Sequence, residues 1–191
     1  MPRISLPKLT HELLSAYLRK GDIAIDATVG NGHDTAFLLA KVGKKGHVYG
    51  FDIQATAIEA TRQLTNNPDN LTLITDSHAK LADYIPLGHV GKIKACLFNL
   101  GYLPGGDKRI ITQTQSTLPA LNAASEVLAV GGILTVLAYP GHPDGDQETA
   151  QVAEWCAKLS SEQFDCRVFD SDVENPAAPR LWLIDKICAY P

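Results

Sequence analysis

The fold is decided by Asp26-Ala27-Thr28-Val29-Gly30-Asn31-Gly32-His33-Asp34-Thr35. This stretch follows the apolar run Ile23-Ala24-Ile25 and precedes a helical pattern, so it predicts a strand, a glycine-rich turn and the start of a helix. Glycine lacks a Cβ and tolerates positive φ, which lets the backbone of such a turn approach a ligand closely. The helix N-terminus behind the turn adds unpaired N–H groups and the positive end of the helix dipole.

A carboxylate ends the next apolar run along the chain. The run His47-Val48-Tyr49-Gly50-Phe51 leads to Asp52, which lies 22 residues after Gly30. At the end of a second strand, this carboxylate is placed to accept hydrogen bonds from ribose hydroxyls. The turn and Asp52 together predict a site for a cofactor that contains a nucleoside.

The residues around the glycines favour S-adenosylmethionine over a nicotinamide dinucleotide. A dinucleotide site typically has G-x-G-x-x-G, whose third glycine packs the helix against the strand near the pyrophosphate. Here Thr35 takes the place of that glycine, Asp26 precedes the turn and Asp34 follows Gly32. These two carboxylates would repel a pyrophosphate, whereas they suit a cofactor that carries an ammonium and a sulfonium and no phosphate. NAD is the alternative.

Length and composition predict one soluble domain. The chain has 191 residues, of which 45% are hydrophobic and 20% charged, and its formal net charge is −4. That charge argues against a broad basic face but leaves room for a local patch that holds nucleic acid. With no apolar run near the roughly 20 residues that span a bilayer and no signal-peptide pattern, we expect a cytoplasmic protein. Cysteine spacing does not favour a metal or redox site, and Cys96 and Cys188 are expected to be buried thiols.

Strand and helix patterns alternate along most of the chain. Strands are expected at about 22–27, 46–51, 70–75, 93–99 and 132–138, and helices from a Thr10 cap to about Arg19 and at about 33–41, 54–65, 113–128 and 146–159. Two final strand patterns, 163–170 and 181–188, are joined by too few residues for a parallel crossover and should pair antiparallel. We therefore predict an α/β fold of the class I S-adenosylmethionine-dependent methyltransferase type. It is Rossmann-like, with one domain over 1–191 and a seven-stranded, mostly parallel sheet with an antiparallel C-terminal strand.

Each of the first five strands is followed by polar or aromatic residues, and ligands of such sheets bind beyond the carboxyl ends of the strands. The five ends are Asp26 to Thr35, Asp52-Ile53-Gln54, Asp76-Ser77-His78, Asn99-Leu100-Gly101-Tyr102 and Tyr139-Pro140-Gly141-His142. From these ends we predict a cofactor site of Asp26, Gly30, Asn31, Gly32, His33, Asp34, Thr35, Asp52, Ile53, Gln54, Ser77, His78 and Asn99. The predicted substrate side comprises Tyr102, Lys108, Tyr139 and His142.

The end of the fourth strand carries the predicted catalytic residues. Asn99 and Tyr102 are spaced as in the N-P-P-Y pattern of methyltransferases that act on amino nitrogens, with Leu100 and Gly101 in place of the prolines. An asparagine carbonyl oxygen can accept the hydrogens of an amine and aim its lone pair at the methyl carbon. An aromatic ring can stack on a base. The alternative is that Asn99 caps a turn and Tyr102 packs.

An aliphatic amine acceptor would also need a group that takes its proton. With a pKa near 10.4, such an amine costs about 4–5 kcal/mol to deprotonate at pH 7, and histidine is the usual acceptor at that pH. His11 on the first helix and His142 after the fifth strand could face the substrate. We predict His11 as a catalytic residue, with His142 on the substrate side.

The run Tyr102-Leu103-Pro104-Gly105-Gly106-Asp107-Lys108-Arg109 carries two adjacent cations next to Asn99. Lys108 could grip a phosphate of the substrate. A solvated turn explains the same residues equally well.

These blocks resemble one bacterial protein family. Asp26 to Thr35, Phe51-Asp52-Ile53-Gln54, Ser77-His78 and Phe98-Asn99-Leu100-Gly101-Tyr102-Leu103-Pro104-Gly105-Gly106-Asp107-Lys108 are similar to the MnmM/YtqB-like proteins, long labelled rRNA methylases without proof. The resemblance implies methyl transfer from S-adenosylmethionine to the 5-aminomethyl group of the tRNA wobble 2-thiouridine. It implies the tRNA anticodon region as partner. The loop Glu174-Asn175-Pro176-Ala177-Ala178-Pro179 follows the family's pattern only loosely.

Several alternatives stay open at this point. The acceptor could be rRNA or a small-molecule amine, and a nucleotide-binding Rossmann protein without methyl transfer would share the glycine turn. No metal or membrane is expected as a partner. A homodimer is left open, since it would enlarge a tRNA-binding surface.

Overall fold

The computed structural model describes residues 5–101, 112–141, 144–172, 174–175 and 177–189. Its strands are β1 (Ile23–Asp26), β2 (His47–Asp52), β3 (Leu71–Thr75), β4 (Ile93–Asn99), β5 (Leu128–Ala138), β6 (Phe164–Asp170) and β7 (Arg180–Lys186). Its α-helices are α1 (Leu6–Tyr17), α2 (His33–Val42), α3 (Ala55–Thr65), α4 (Leu81–Tyr84), α5 (Thr114–Val127) and α6 (Gly145–Lys158). Short 3₁₀ turns at His78–Lys80 and Leu87–His89 flank α4.

All seven strands form one sheet in the order β3-β2-β1-β4-β5-β7-β6. The pairs among β1 to β5 are parallel, and β7 runs antiparallel to both β5 and β6. The predicted sheet is therefore confirmed, including its antiparallel C-terminal strand. Strand order reverses between β1 and β4, and a crevice for a ligand is expected beyond the carboxyl ends of these two strands.

Alternating residues of the strands supply two apolar layers. On one face Ala24 belongs to a buried cluster with Leu14 of α1 and Leu38 of α2. On the other face Ile25 lies in a cluster with Leu121 of α5. A parallel sheet covered on both faces needs such nearly continuous apolar strands. The helices therefore cover both faces of the sheet.

The start of α1 differs from the prediction. The helix begins at Leu6, with Pro7 in its first turn, and Thr10 is an interior residue whose hydroxyl donates to the carbonyl oxygen of Leu6 at 2.9 Å. Proline fits the first helical turn because the N–H that it lacks would have no partner there. The predicted Thr10 cap was wrong, because a proline is as compatible with a first turn as with a helix boundary.

Two further predictions need correction. Strand β5 begins at Leu128, four residues before the predicted start, and continues through Gly131 at φ +72° with a shift of its register against β4. Cys188 is exposed, whereas Cys96 is buried as expected.

Within the described ranges no helix is long and apolar enough to cross a bilayer. No group of three or more potential metal ligands was found among those residues either.

Candidate cofactor and active site

The glycine turn between β1 and α2 has a backbone that only glycine adopts easily. Gly30 and Gly32 have φ of +53° and +82°. A Cβ on Gly32 would lie 2.9 Å from the Cα of Thr61 in α3, closer than such atoms approach. Gly32 therefore allows α2 to begin against α3, shortly after the carboxyl end of β1.

Asp26 holds this turn from within the protein. Its carboxylate is fully buried and accepts hydrogen bonds from the hydroxyl of Thr35 at 2.6 Å and from the N–H of Thr28 at 3.2 Å. Burial, and then the charge of Asp34, raise the pKa of Asp26 to about 7. Asp26 and Thr35, both predicted as cofactor residues, present no exposed surface in this conformation, so they stabilise the turn that a ligand would meet.

Asp52 connects the end of β2 to the same turn. One of its oxygens accepts the N–H of Gly30 at 2.9 Å, and the other accepts the N–H of Gln54 at 2.8 Å. A carboxylate has about four acceptor positions, so Asp52 can still receive hydroxyl groups. The next side chain, Ile53, is 56% exposed and offers an apolar surface beside the carboxylate.

The segment after β3 is hydrogen-bonded to the chain between β1 and α2 through His78. The side chain of His78 is buried, and its Nδ1 lies 3.0 Å from the carbonyl oxygen of Ala27, to which it donates. Burial lowers the pKa of His78, so the ring is neutral near pH 7. Its Nε2 is buried without a hydrogen-bond partner in the described structure. Ser77 accepts the N–H of Ala79 and caps the short 3₁₀ turn.

Asn99, the last residue of β4, lies directly beside the turn. Its main-chain N–H donates to the hydroxyl of Thr28 at 2.7 Å. The Asn99 residue is half-buried, and its side-chain amide makes no hydrogen bond to any residue in the described ranges. The amide is therefore free to accept or donate hydrogen bonds with a bound substrate.

His11 reaches the site from α1. Its Nε2 lies 2.7 Å from a carboxylate oxygen of Asp34, and its ring stacks on Phe37 at 3.9 Å between centroids with an interplanar angle of 3°. This pair joins α1 to the first turn of α2.

Tyr139, which follows β5, has a raised pKa. Burial, and then the charge of Asp34, raise the pKa of Tyr139 to about 12, so the tyrosine keeps its proton at neutral pH.

Four elements thus meet at one turn. Asp52, His78, Asn99 and His11 come from β2, the segment after β3, β4 and α1, and each is hydrogen-bonded to a residue of the segment 26–35. Asn31 and His33 are exposed on that segment, and Tyr139 is half-buried after β5. Tyr102, Lys108 and His142, predicted on the substrate side, lie outside the described residues, as does Pro176 of the loosely matching loop.

Sequence reasoning missed a buried network next to Asn99. Gly101 and Thr112 exchange hydrogen bonds: the N–H of Gly101 donates to the hydroxyl of Thr112, and the N–H of Thr112 donates to the carbonyl of Gly101, each at 2.8 Å. The buried carboxylate of Glu148, on α6, accepts the hydroxyls of Thr112 at 2.8 Å and Thr117 at 2.6 Å. Glu148 lies 36 positions from Thr112 and 31 from Thr117, and no local sequence pattern signals these two contacts.

The charges of the site fit a cationic ligand better than a phosphate. Asp34 and Asp52 line the turn, and neither forms an ion pair with a lysine or arginine among the residues described. Both carboxylates would repel a pyrophosphate there. An amino acid ammonium or a sulfonium would be stabilised by the same groups.

Comparison with known proteins places the chain in a family. The family model described as "Putative rRNA methylase" matches residues 48–185. A chloroplastic tRNA (mnm5s2U34)-methyltransferase of Arabidopsis thaliana is 36% identical over 185 residues, which cover 91% of this chain and 66% of that protein. The chain thus spans slightly less than two thirds of the length of this plant relative.

Two crystal structures are similar over nearly their full lengths. One is described as a "putative rRNA-methylase" from Clostridium thermocellum. It has 39% identity and a TM-score of 0.90 over 98% of this chain and all of that one. The other, from Streptococcus mutans, is described as "a putative methyltransferase" and was solved in complex with SAH. It has 35% identity and a TM-score of 0.84 over 97% of this chain and 99% of that one. These neighbours confirm the predicted Rossmann-like methyltransferase fold, and with the match to residues 48–185 they show that the chain belongs to the rRNA methylase family.

Proposed function

We propose that this protein is an S-adenosylmethionine-dependent tRNA methyltransferase that converts 5-aminomethyl-2-thiouridine at the wobble position to 5-methylaminomethyl-2-thiouridine. The observation that carries the proposal is the convergence of Asp52, Asn99 and His11 on one glycine turn. These residues would supply a ribose acceptor, an amine-orienting amide and a proton acceptor around that turn.

Asp52 and its neighbours would bind the cofactor. The carboxylate of Asp52 would accept the ribose hydroxyls, with its position fixed by the N–H of Gly30. Ile53, exposed beside it, would contact the adenine, and Asp34 would stabilise the positive charges of the methionine part. When bound, S-adenosylmethionine supplies a methyl group that the lone pair of the amine attacks, while the electrons of the C–S bond remain on sulfur.

Asn99 would orient the amine, and His11 would take its proton. The free side-chain carbonyl of Asn99 would accept an amine hydrogen and hold the lone pair in line with the methyl carbon. The nitrogen must lose a proton to become a neutral secondary amine, and His11 is held by Asp34 at 2.7 Å, as a catalytic base is held by its orienting carboxylate. Tyr139, protonated at neutral pH, would donate to the substrate.

The plant relative supports tRNA as the substrate, since its name gives the mnm5s2U34 position. Tyr102 would stack on the wobble base, Lys108 would contact the backbone of the anticodon region, and His142 would complete the substrate side. We further propose that the chain acts as one domain in the cytoplasm, without a metal, and that a homodimer enlarges its tRNA-binding surface.

Two other acceptors fit the same cofactor residues. The family's description favours rRNA, and a small-molecule amine would need only Asn99 and His11. An RNA substrate is distinguished by salt-dependent binding, since neutralised phosphates release counterions. A nicotinamide-binding protein would bind NAD and ignore S-adenosylmethionine.

The test is mass spectrometry of nucleosides from undermodified tRNA that carries 5-aminomethyl-2-thiouridine, incubated with the protein and S-adenosylmethionine. We expect a gain of one methyl on that nucleoside. Binding of S-adenosylmethionine without any gain would exclude this acceptor and direct the assay to rRNA and small amines. Absence of S-adenosylmethionine binding would overturn the proposal as a whole.

A further inference from the structure

Five cations gather where α1 and α2 end. Arg19 and Lys20 follow α1, Lys41 lies in the last turn of α2, and Lys44 and Lys45 follow it; we call these five residues the basic patch. The fold brings the two groups together, because Lys20 donates from its ammonium to the carbonyl oxygen of Ala40 at 2.6 Å. Five of the 17 cations of the chain thus occupy one small surface, although its formal net charge is −4.

The cations of the basic patch lack acidic partners. None of the five lies within ion-pair distance of a carboxylate in the part of the chain that the structure describes. By contrast, most cations described elsewhere have such a partner, namely Lys8, Arg62, Lys80, Lys158, Arg167 and Arg180. The one carboxylate among residues 19–22 and 41–45, that of Asp22, accepts the main-chain N–H of Arg19. The excess positive charge therefore remains available to an anion.

A row of stacked side chains connects the basic patch to the candidate site. His11, paired with Asp34 at the site, stacks on Phe37, and the ammonium of Lys41 lies 5.5 Å from the centre of the same ring. These residues follow one side of α2, whose ten residues rise about 15 Å. A nucleic acid strand with one base in the crevice could therefore lay its backbone along α2 and reach the five cations.

We propose that the basic patch binds the phosphate backbone of the RNA substrate on the side of α2 that leads away from the crevice. The inference deepens the proposed function and rests on it. Unpaired lysines and arginines grouped on one face are the electrostatic footprint of nucleic-acid binding. The cations contact phosphates and not bases, so they would raise affinity for RNA without selecting a sequence.

An anionic membrane would offer negative charge as well, but the surface does not suit it. The large exposed apolar side chains of the described structure are Ile53, Leu64, Tyr84, Leu87, Val90, Val130, Val168 and Ile187, and none of them belongs to residues 19–22 or 40–45. Stable binding to a lipid surface combines basic residues with apolar side chains that enter the bilayer. The absence of such residues at the patch favours RNA.

The experiment compares two charge reversals that change the net charge equally. The double variant Lys44→Glu/Lys45→Glu alters the basic patch, and Lys92→Glu/Lys158→Glu alters exposed lysines outside it. Binding of unmodified tRNA is measured from 50 to 300 mM salt, together with binding to anionic vesicles of phosphatidylglycerol. S-adenosylmethionine affinity and melting temperature are measured for both variants as controls for the fold.

We expect the patch variant to bind tRNA about tenfold more weakly at 0.1 M salt, with a salt slope shallower by about 1.5, while the control variant stays near wild type. Equal tRNA binding by the two variants would overturn the proposal, as would loss of vesicle binding with tRNA binding intact. The proposed function fails separately, when the wild-type protein binds tRNA but methylates none of its uridines.

Discussion

The main-chain N–H of Asn99 donates to the hydroxyl of Thr28 across 2.7 Å, and this bond joins the end of β4 to the glycine turn after β1. The two strands are neighbours at the point where strand order reverses. The bond therefore fixes the proposed amine-orienting residue relative to the turn that would hold the methyl donor. Methyl transfer depends on that relative position, because the attacking nitrogen, the methyl carbon and the sulfur must lie in line.

Replacement of Asn99 by alanine tests the orienting role directly. The variant keeps the main-chain bond to Thr28 and loses only the side-chain amide, so we expect turnover of tRNA to fall about 100-fold or more, as for a misplaced reactant. Affinity for S-adenosylmethionine, measured by calorimetry, should remain within about twofold. Turnover near that of wild type would contradict the role of Asn99.

Thr28 allows a subtler test, since its hydroxyl positions Asn99 through the main chain. Thr28→Val removes the acceptor, and Thr28→Ser keeps it. We expect kcat to fall about tenfold in the valine variant with little change in melting temperature, and to recover in the serine variant. A valine variant with the turnover of wild type would show that the hydroxyl of Thr28 does not position Asn99.

The variant His11→Phe tests the proposed base. Phenylalanine preserves the stack on Phe37 and removes the nitrogen that faces Asp34. We expect methyl transfer to fall about 100-fold at pH 7. The residual rate should climb with a slope near one between about pH 7 and 9, because the amine, with a pKa near 10.4, must then lose its proton to solvent. A variant with the pH profile of wild type would show that another group takes the proton.

Asp26 gives a stability prediction with a definite sign. Its folded pKa of about 7 lies above the ordinary value of 3.8, so the folded protein holds a proton that the unfolded chain releases between these pH values. The contribution of Asp26 to stability is fully present below about pH 4 and is lost as pH rises through about 7. In Asp26→Asn the free energy of unfolding, from urea titrations at pH 4 to 8, should depend less on pH. An unchanged slope would contradict the raised pKa.

Two glycine-to-alanine replacements separate backbone strain from steric conflict. Gly91 has φ of +72°, and no atom lies within 4 Å of the position that a Cβ would take there, so Gly91→Ala should cost only the left-handed strain of about 1–2 kcal/mol. Gly32, at φ +82°, would in addition push its Cβ against the Cα of Thr61. Gly32→Ala should therefore lower the free energy of unfolding further and weaken S-adenosylmethionine binding, which Gly91→Ala should leave unchanged. Equal effects of the two would show that α3 yields easily.

The strands of the sheet could be predicted from the sequence, because hydrophobic periodicity and the residues at strand ends are local signals. Asp52 and Gly30 could be related in advance, since the carboxyl end of a second strand lies beside the first turn. The direction of a side chain is not a local property: the carboxylate of Asp26, predicted at the cofactor site, is buried and accepts hydrogen bonds from Thr28 and Thr35. The start of α1 was misjudged because Pro7 is compatible with either a boundary or a first turn.

The mutual hydrogen bonds of Gly101 and Thr112, together with Glu148, join the end of β4 to the residues before α5 and to α6. Two hydrogen bonds hold Gly101 and Thr112 together, and they offset the entropy lost when these two residues are brought close. Loss of the Glu148 carboxylate would therefore loosen α5 and α6 at this end of β4, because the hydroxyls of Thr112 and Thr117 would lose their shared acceptor.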